Sequence, residues 1–209
     1  MKIVVFGSTG GTGVELIKQA LKRGHEVTAF ARDPSKISIS DAKLRMHKGD
    51  VLDLNSVTTA VTGAQAVVSA LGVRLGQSPG TVRSEGTRNI VAALSAANVR
   101  RFVSVSTVGV GDSLNRLSFF AGIFLPRIIG PERLKEAERQ EETIRQSSLE
   151  WTILRPTRLV NDAALGRYQI GNDLHTGMGS KLARADLATA LLDQLEKTDF
   201  LRQTPTVTN

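Results

Sequence analysis

Short apolar runs alternate along the chain with longer stretches in which apolar residues recur every three or four positions. The runs are KIVVF at 2–6, EVTAFA at 26–31, a weaker LRMHKG at 44–49, AQAVVSAL at 64–71, RFVSVS at 101–106 and WTILR at 151–155. Their β-branched content and length predict six strands. TPTVT at 204–208 predicts a seventh at the sheet edge. Between them, 12–23 places Val14, Ile17, Ala20 and Leu21 on one helical face, and Gly24 ends it. Asp53 or Asn55 caps a short helix through Val61, closed by Gly63. A long helix over 81–97 turns Val82, Ile90, Val91, Leu94 and Ala97 inward, 132–147 is a charged helix, and 185–196 is the last. Asp33-Pro34-Ser35 is a turn.

Strand–helix alternation with nearly continuous apolar strands predicts an α/β fold. It is a single doubly wound domain over 1–209, with a parallel sheet of about 6–7 strands and helices on both faces. No repeat or linker interrupts it. The stretches 107–131 and 157–183 are long and irregular. They follow strands five and six, at the sheet end where such folds place substrates, so they are expected to form a lid or small lobe.

Composition narrows the function classes. At 41% hydrophobic and 22% charged residues, the 209-residue chain is that of an ordinary soluble protein. The longest apolar candidate, 117–130, is broken by Pro126 and Arg127 and is too short to span a bilayer. The N-terminal run is too short for a signal peptide. Cysteine is absent, which excludes disulfides and thiol chemistry and fits a reducing cytoplasm. His25, His47 and His175 have no ligand spacing, so no metal site is expected. A net charge of +7 suits an anionic partner, but the basic residues are scattered. Seven Phe, one Tyr and one Trp leave little for base stacking. A phosphorylated small molecule fits better than nucleic acid.

GSTGGTG at 7–13 lies between the first strand and the first helix. That arrangement makes an anion site, because helix-end N–H groups and the dipole both favour negative charge. Gly7 makes the turn, Gly10 and Gly11 let a pyrophosphate approach, Gly13 packs helix on strand, and Thr9 and Thr12 add hydroxyls. The spacing is G-x-x-G-x-x-G rather than the usual dinucleotide fingerprint, and the strand–turn–helix context carries the reading. No Gly-Lys-Ser/Thr follows, so a Walker loop is excluded. Strand two ends Ala31-Arg32-Asp33. An arginine there suits a 2′-phosphate, favouring NADPH, with Lys36 assisting; Asp33 keeps NADH open. Asp50 either accepts from an adenine amine or caps a helix.

These motifs, with GDVLD after strand three and SEGTRNIVAALSAANVRRFVSVST, resemble the atypical short-chain dehydrogenase/reductase superfamily along nearly the whole chain. ALGVRLGQSPGTVRSEGTRNIVAA and FARD are most similar to the biliverdin reductase B / flavin reductase family, with the NmrA-like branch next. The resemblance implies a Rossmann fold and an NADPH-dependent reductase of flavins or of biliverdin-type tetrapyrroles. By the same resemblance, Gly7, Thr9, Gly10, Gly11, Thr12 and Gly13 hold the pyrophosphate. Arg32 holds the 2′-phosphate, and Asp50 and Val51 flank the adenine. Ala70, Leu71, Gly72 and Arg74 line the cofactor. Ser106 and Thr107 face the nicotinamide as catalytic candidates. Arg155, Pro156 and Thr157 border the nicotinamide and substrate pocket. The family's serine is Thr107 here, and a histidine some members carry near Thr157 is absent.

The usual tyrosine–lysine acid/base pair is missing, since the single tyrosine, Tyr168, is followed four residues on by Asn172. A G-x-S-x-G elbow is also missing. Flavin reduction tolerates this, because the flavin is a substrate whose proton can come from water. Phe119, Phe120, Phe124 and Leu125 are read as an apolar substrate wall, as core packing or as an oligomer contact. Arg74 and Arg158 suit a flavin phosphate or a propionate. Thr107 orients the nicotinamide or bonds the substrate, or is satisfied by backbone. A monomer is expected, with a protein partner left open. The alternatives are an NmrA-like redox sensor without turnover, or an assembly factor docking through 117–130.

Overall fold

A computed structural model describes residues 1–73 and 77–209. Strands β1 (Lys2–Phe6), β2 (Glu26–Ala31), β3 (Leu44–Lys48), β4 (Ala66–Ser69), β5 (Arg101–Val105) and β6 (Glu150–Pro156) form where the apolar runs predict them. Helices α1 (Gly11–Lys22), α2 (Leu54–Val61), α3 (Val82–Ala96), α5 (Pro131–Arg145) and α6 (Arg184–Glu196) lie within a residue or two of the predicted ones. Asp53 caps α2 by accepting from the Asn55 N–H at 3.0 Å.

With β8 at Gln169–Gly171 and β10 at Thr206–Thr208, the sheet order is β3-β2-β1-β4-β5-β6-β10-β8. It is parallel from β3 through β10, and β8 closes it antiparallel. Eight strands therefore stand where about 6–7 were expected, and β10 is not the edge but lies between β6 and β8. Beyond it, β7 (Arg158–Val160) and β9 (Lys181–Ala183) make a separate parallel pair.

Alternation along the strands builds one core on each face. Ile3 and Val5 of β1 join α1 and α6 residues such as Leu16, Ile17 and Leu191, while Val4 and Phe6 join Val57, Ile90 and Leu94 under α2 and α3. Each such fully buried aliphatic or aromatic side chain stabilises the fold by about 1.5–3 kcal/mol.

Part of 107–131 is ordered as a helix rather than an irregular loop: α4 spans Phe119–Ile129 with Pro126 inside it. The segments after β5 and β6 meet. Leu117 bridges Thr176, the Ser118 N–H donates to the Thr176 carbonyl at 2.9 Å, and Arg116 pairs with Asp173 at 3.3 Å. Among the described residues no helix is long and apolar enough to cross a membrane.

Candidate dinucleotide and substrate site

The strand order reverses between β1 and β4, the switch point at which such folds form their ligand crevice, at the carboxyl ends of the strands. The glycines shape its floor. Gly7 has φ +78°, and a Cβ on it would stand 2.5 Å from the Ala70 carbonyl oxygen. A Cβ on Gly13 would stand 2.2 Å from the Gly7 oxygen, so α1 packs on β1 only because that atom is missing. Gly10 caps α1 with no side-chain acceptor, and the first turn holds no acidic residue. The first intrahelical bond is Val14 N–H to the Gly10 carbonyl, 2.9 Å, which leaves the preceding N–H groups of Gly11, Thr12 and Gly13 pointing out of the helix end. Thr9 is exposed and Thr12 buried. Such a cradle fits a pyrophosphate.

At the end of β2, Arg32 is exposed and pairs with no described residue. Asp33 is engaged otherwise. Its carboxylate accepts from the Ser35 hydroxyl at 2.5 Å and lies 3.4 Å from Lys36, and these contacts, the Ser35 bond foremost, hold it below the usual carboxylate range. Asp50 is exposed and accepts from the Leu52 N–H at 3.0 Å, so it closes a turn while Asp53 caps α2. Val51 is buried, and a Cβ on Gly86 of α3 would stand 2.8 Å from it. Ala70, Leu71 and Gly72 leave β4 beside Gly7. Arg74 lies outside the described residues.

Thr107 and Ser106 part company. Thr107 follows β5 half-buried, and its hydroxyl bonds no described residue. Ser106 is 2% exposed and donates to Glu141 Oε1 of α5 at 2.5 Å. Its hydroxyl is therefore turned under α5 rather than into the crevice. Arg155 also departs from expectation. It is 1% exposed and donates from Nε and Nη2 to both oxygens of Glu141, at 3.0 and 2.7 Å, and from Nη1 to Asp112 at 2.6 Å. The guanidinium ties β6 to α5 and to the segment after β5. Pro156 is buried, and Thr157 is spent on Thr208, hydroxyl to hydroxyl at 3.1 Å. Arg158 is exposed on β7.

Phe119, Phe120 and Phe124 are 76%, 66% and 49% exposed, so they are not core; Leu125 is half-buried. Tyr168 donates to Asp193 of α6 at 2.6 Å, and burial followed by that carboxylate pushes its hydroxyl above the usual tyrosine range. It is no acid for this crevice.

Four residues escape sequence reasoning. Ser8, fully buried, donates to the Phe30 carbonyl at 2.7 Å and fixes the glycine loop to the end of β2. Glu141 anchors Ser106 and Arg155. Arg83, in the first turn of α3, brings Nη2 to 3.9 Å from where a Cβ of Gly72 would stand, and burial pushes its guanidinium down to about 10 against the attraction of Glu141 and Glu136. Arg184 lies over Gly11. None of the four carries a pattern in the sequence, because the contacts that place them come from elsewhere along the chain.

Residues 7–198 match a protein family described as NAD(P)H-binding. The YwnB protein of Bacillus subtilis is 30% identical over 214 residues, covering 99% of this chain and 98% of that protein. A Veillonella parvula short-chain dehydrogenase/reductase, solved in complex with NADP, superposes with TM-score 0.85 at 22% identity over 100% of this chain and 94% of that one. ChuY, an anaerobilin reductase from Escherichia coli O157:H7, gives TM-score 0.81 at 22% identity over 99% and 96%. With its reversed strand order and glycine-floored helix end, this Rossmann-like chain belongs to the NAD(P)H-binding family.

Proposed function

We propose that this protein is an NADPH-dependent reductase whose acceptor is a flavin (FMN, FAD or riboflavin) or a biliverdin-type tetrapyrrole. The observation that carries the cofactor choice is the end of β2. Arg32 is exposed and pairs with no described residue, while Asp33 is already bonded by Ser35 and Lys36. A ribose 2′-hydroxyl needs a free carboxylate there, and a 2′-phosphate needs a cation. The adenine end rests between Asp50 and Val51, and Ala70, Leu71 and Gly72 form the wall beside Gly7.

A reduced nicotinamide, when bound, supplies the hydride. The chain's part is orientation and exclusion of water. Thr107 offers a hydroxyl that no described residue uses, and it positions the carboxamide or the acceptor. Ser106, Glu141 and Arg155 hold the end of β5 and the following turn in place from beneath. Tyr168 is bonded to Asp193 and gives no proton, so the acceptor is one whose proton comes from water. The name of the structural neighbour ChuY, an anaerobilin reductase, lends support to a planar tetrapyrrole-like or flavin acceptor.

A second reading rests on α4. Its exposed Phe119, Phe120 and Ile128 favour a protein that holds the dinucleotide and docks elsewhere without turnover. One experiment separates the two. NADPH oxidation by the purified chain with excess FMN is followed by absorbance and repeated with NADH. Many turnovers, faster with NADPH, are expected. Tight NADPH binding with no turnover on FMN or biliverdin would favour the docking reading.

A further inference from the structure

Arg184 is the first residue of α6, and its side chain lies across the first residue of α1. A Cβ built on Gly11 would stand 2.7 Å from Arg184 Cδ and 3.0 Å from Nε. The stem therefore rests flat on the bare backbone at the helix end whose N–H groups are open. Its Nη1 donates to Asn161 Oδ1 at 2.8 Å, and no described carboxylate pairs with it. A guanidinium has five N–H donors, so most of its capacity is unused. The buried arginines Arg155 and Arg101 are more fully engaged, although Arg101 Nε has no partner among the described residues. Arg155 bonds two carboxylates, and Arg101 bonds the Glu150 carbonyl and the Thr152 hydroxyl.

The fold explains how this cation reaches the glycine loop from 173 residues along the chain (11 to 184). Strands β7 and β9 pair in parallel with Val160 opposite Ala183. The next residue of each, Asn161 and Arg184, leaves the pair side by side. Gln19 of α1 then donates to the Ala185 carbonyl at 2.8 Å and accepts from Thr189 at 2.9 Å, which sets the start of α6 beside the start of α1. The small sheet is thus a strap that carries an arginine and its amide tether over the α1 N-terminus.

We infer that Arg184, held by Asn161, is a pyrophosphate clamp that binds NADPH and NADH alike, separate from the 2′-phosphate selector Arg32. The inference rests on the dinucleotide reading above and adds to it a residue from outside the glycine motif. Binding rotates the guanidinium from Asn161 toward the phosphates and keeps the stem on Gly11. A charge-assisted, forked contact of this kind is lost when the charge is removed even if the stem is kept.

The test is a titration of NADPH and of NADH by calorimetry, on the wild type and on R184Q, R184K and R32A. R184Q keeps the stem length and the packing on Gly11. Its dissociation constants for both dinucleotides are expected to rise by a similar factor, about 10- to 100-fold, with R184K recovering part of the loss. R32A is expected to change the NADPH-to-NADH ratio, and R184Q to leave it unchanged. R184Q binding both dinucleotides within about twofold of wild type would overturn the clamp while leaving the dinucleotide reading standing; about twofold is less than the loss of even a single neutral hydrogen bond. A loss confined to NADPH would overturn it too, by moving Arg184 to the 2′-phosphate. A wild type that binds neither dinucleotide would overturn the functional reading and the clamp together.

Discussion

At the scale of single residues, the proposed preference for NADPH rests on which neighbouring charge is already occupied. Asp33 and Arg32 are adjacent, yet the turn at Pro34–Lys36 consumes the carboxylate and leaves the guanidinium in solvent. Arg32→Ala should therefore weaken NADPH by about 10-fold or more and leave NADH nearly unchanged, since one charge-assisted contact is removed. Equal weakening of both would sink the assignment. Gly13 carries a different kind of constraint. A methyl there meets the Gly7 carbonyl at 2.2 Å, backbone against backbone, so α1 must move off β1. Gly13→Ala should lower stability by about 1–3 kcal/mol, the range for overpacking, and should abolish dinucleotide binding; urea denaturation and a binding titration check both. At Thr107 the hydroxyl has no partner among the described residues, so Thr107→Ala should slow turnover with little effect on cofactor affinity or melting temperature. A shift in melting temperature with unchanged turnover would make it structural.

At the scale of elements, α5 shows where sequence legibility ended. PERLKEAERQEETIR looks like a solvated helix, yet Glu136, Gln140 and Glu141 are buried on its inner face with Ala137 and Ile144. Gln140 donates to Ser104 at 2.9 Å, Glu136 accepts from Ser84 at 2.8 Å, and Glu141 accepts from Ser106, Arg155 and Arg145. Polar residues on the inner stripe of a helix carry no hydrophobic period. The burial of Ser106 and Arg155 was illegible for the same reason, since their partner is visible only in three dimensions. The three-residue strands β7, β8 and β9 are too short to show a period of two. Pro126 and Gly122 likewise mask α4. The parallel sheet, the glycine loop and the Asp53 cap were legible because each depends on neighbours in sequence. Removing the charge of Glu141 leaves Arg155 buried against one carboxylate instead of two. Glu141→Gln should therefore cost about 3–5 kcal/mol, as for breaking a buried ion pair, measured by the urea midpoint; a change below about 1 kcal/mol, the worth of an exposed pair, would show the network to be slack. Asp112 reports on the same network. Partial burial raises its carboxyl, but the hydrogen bonds and charges of Arg155 and Arg116 prevail and bring it down to about 2. A folded value below the unfolded one means its contribution is present above pH ~4 and is lost as pH falls toward about 2. The tie between the segment after β5 and β6 should accordingly loosen in acid, seen as faster proteolysis of that segment by pepsin in wild type than predicted from global unfolding, and Asp112→Asn should loosen it already at neutral pH.

At the scale of the whole molecule, the groups assigned to the dinucleotide come from far along the chain: Gly7 on the first loop, Arg32 after β2, Asp50 after β3, Leu71 after β4 and Arg184 at the start of α6. An unfolded chain holds none of them together. Binding must therefore act on the native state alone and stabilise the entire sheet rather than one loop. A ligand present at about 100 times its dissociation constant then adds about 2.7 kcal/mol to unfolding. For a domain of this length, about 1 kcal/mol moves the melting temperature by roughly 2–4 °C. NADPH at that excess should raise the midpoint by roughly 5–11 °C on those two scales, in one transition. NADH, raised to the same multiple of its own constant, should give the same shift, because the linkage depends on the ratio and not on the affinity itself. The comparison is informative in R184Q as well: at equal multiples of its own constants the shift should be restored, whereas at wild-type concentrations it should shrink for both dinucleotides together. A two-step melt in which only part of the amplitude responds would mean that the strap formed by β7, β9 and the start of α6 opens without the rest of the sheet.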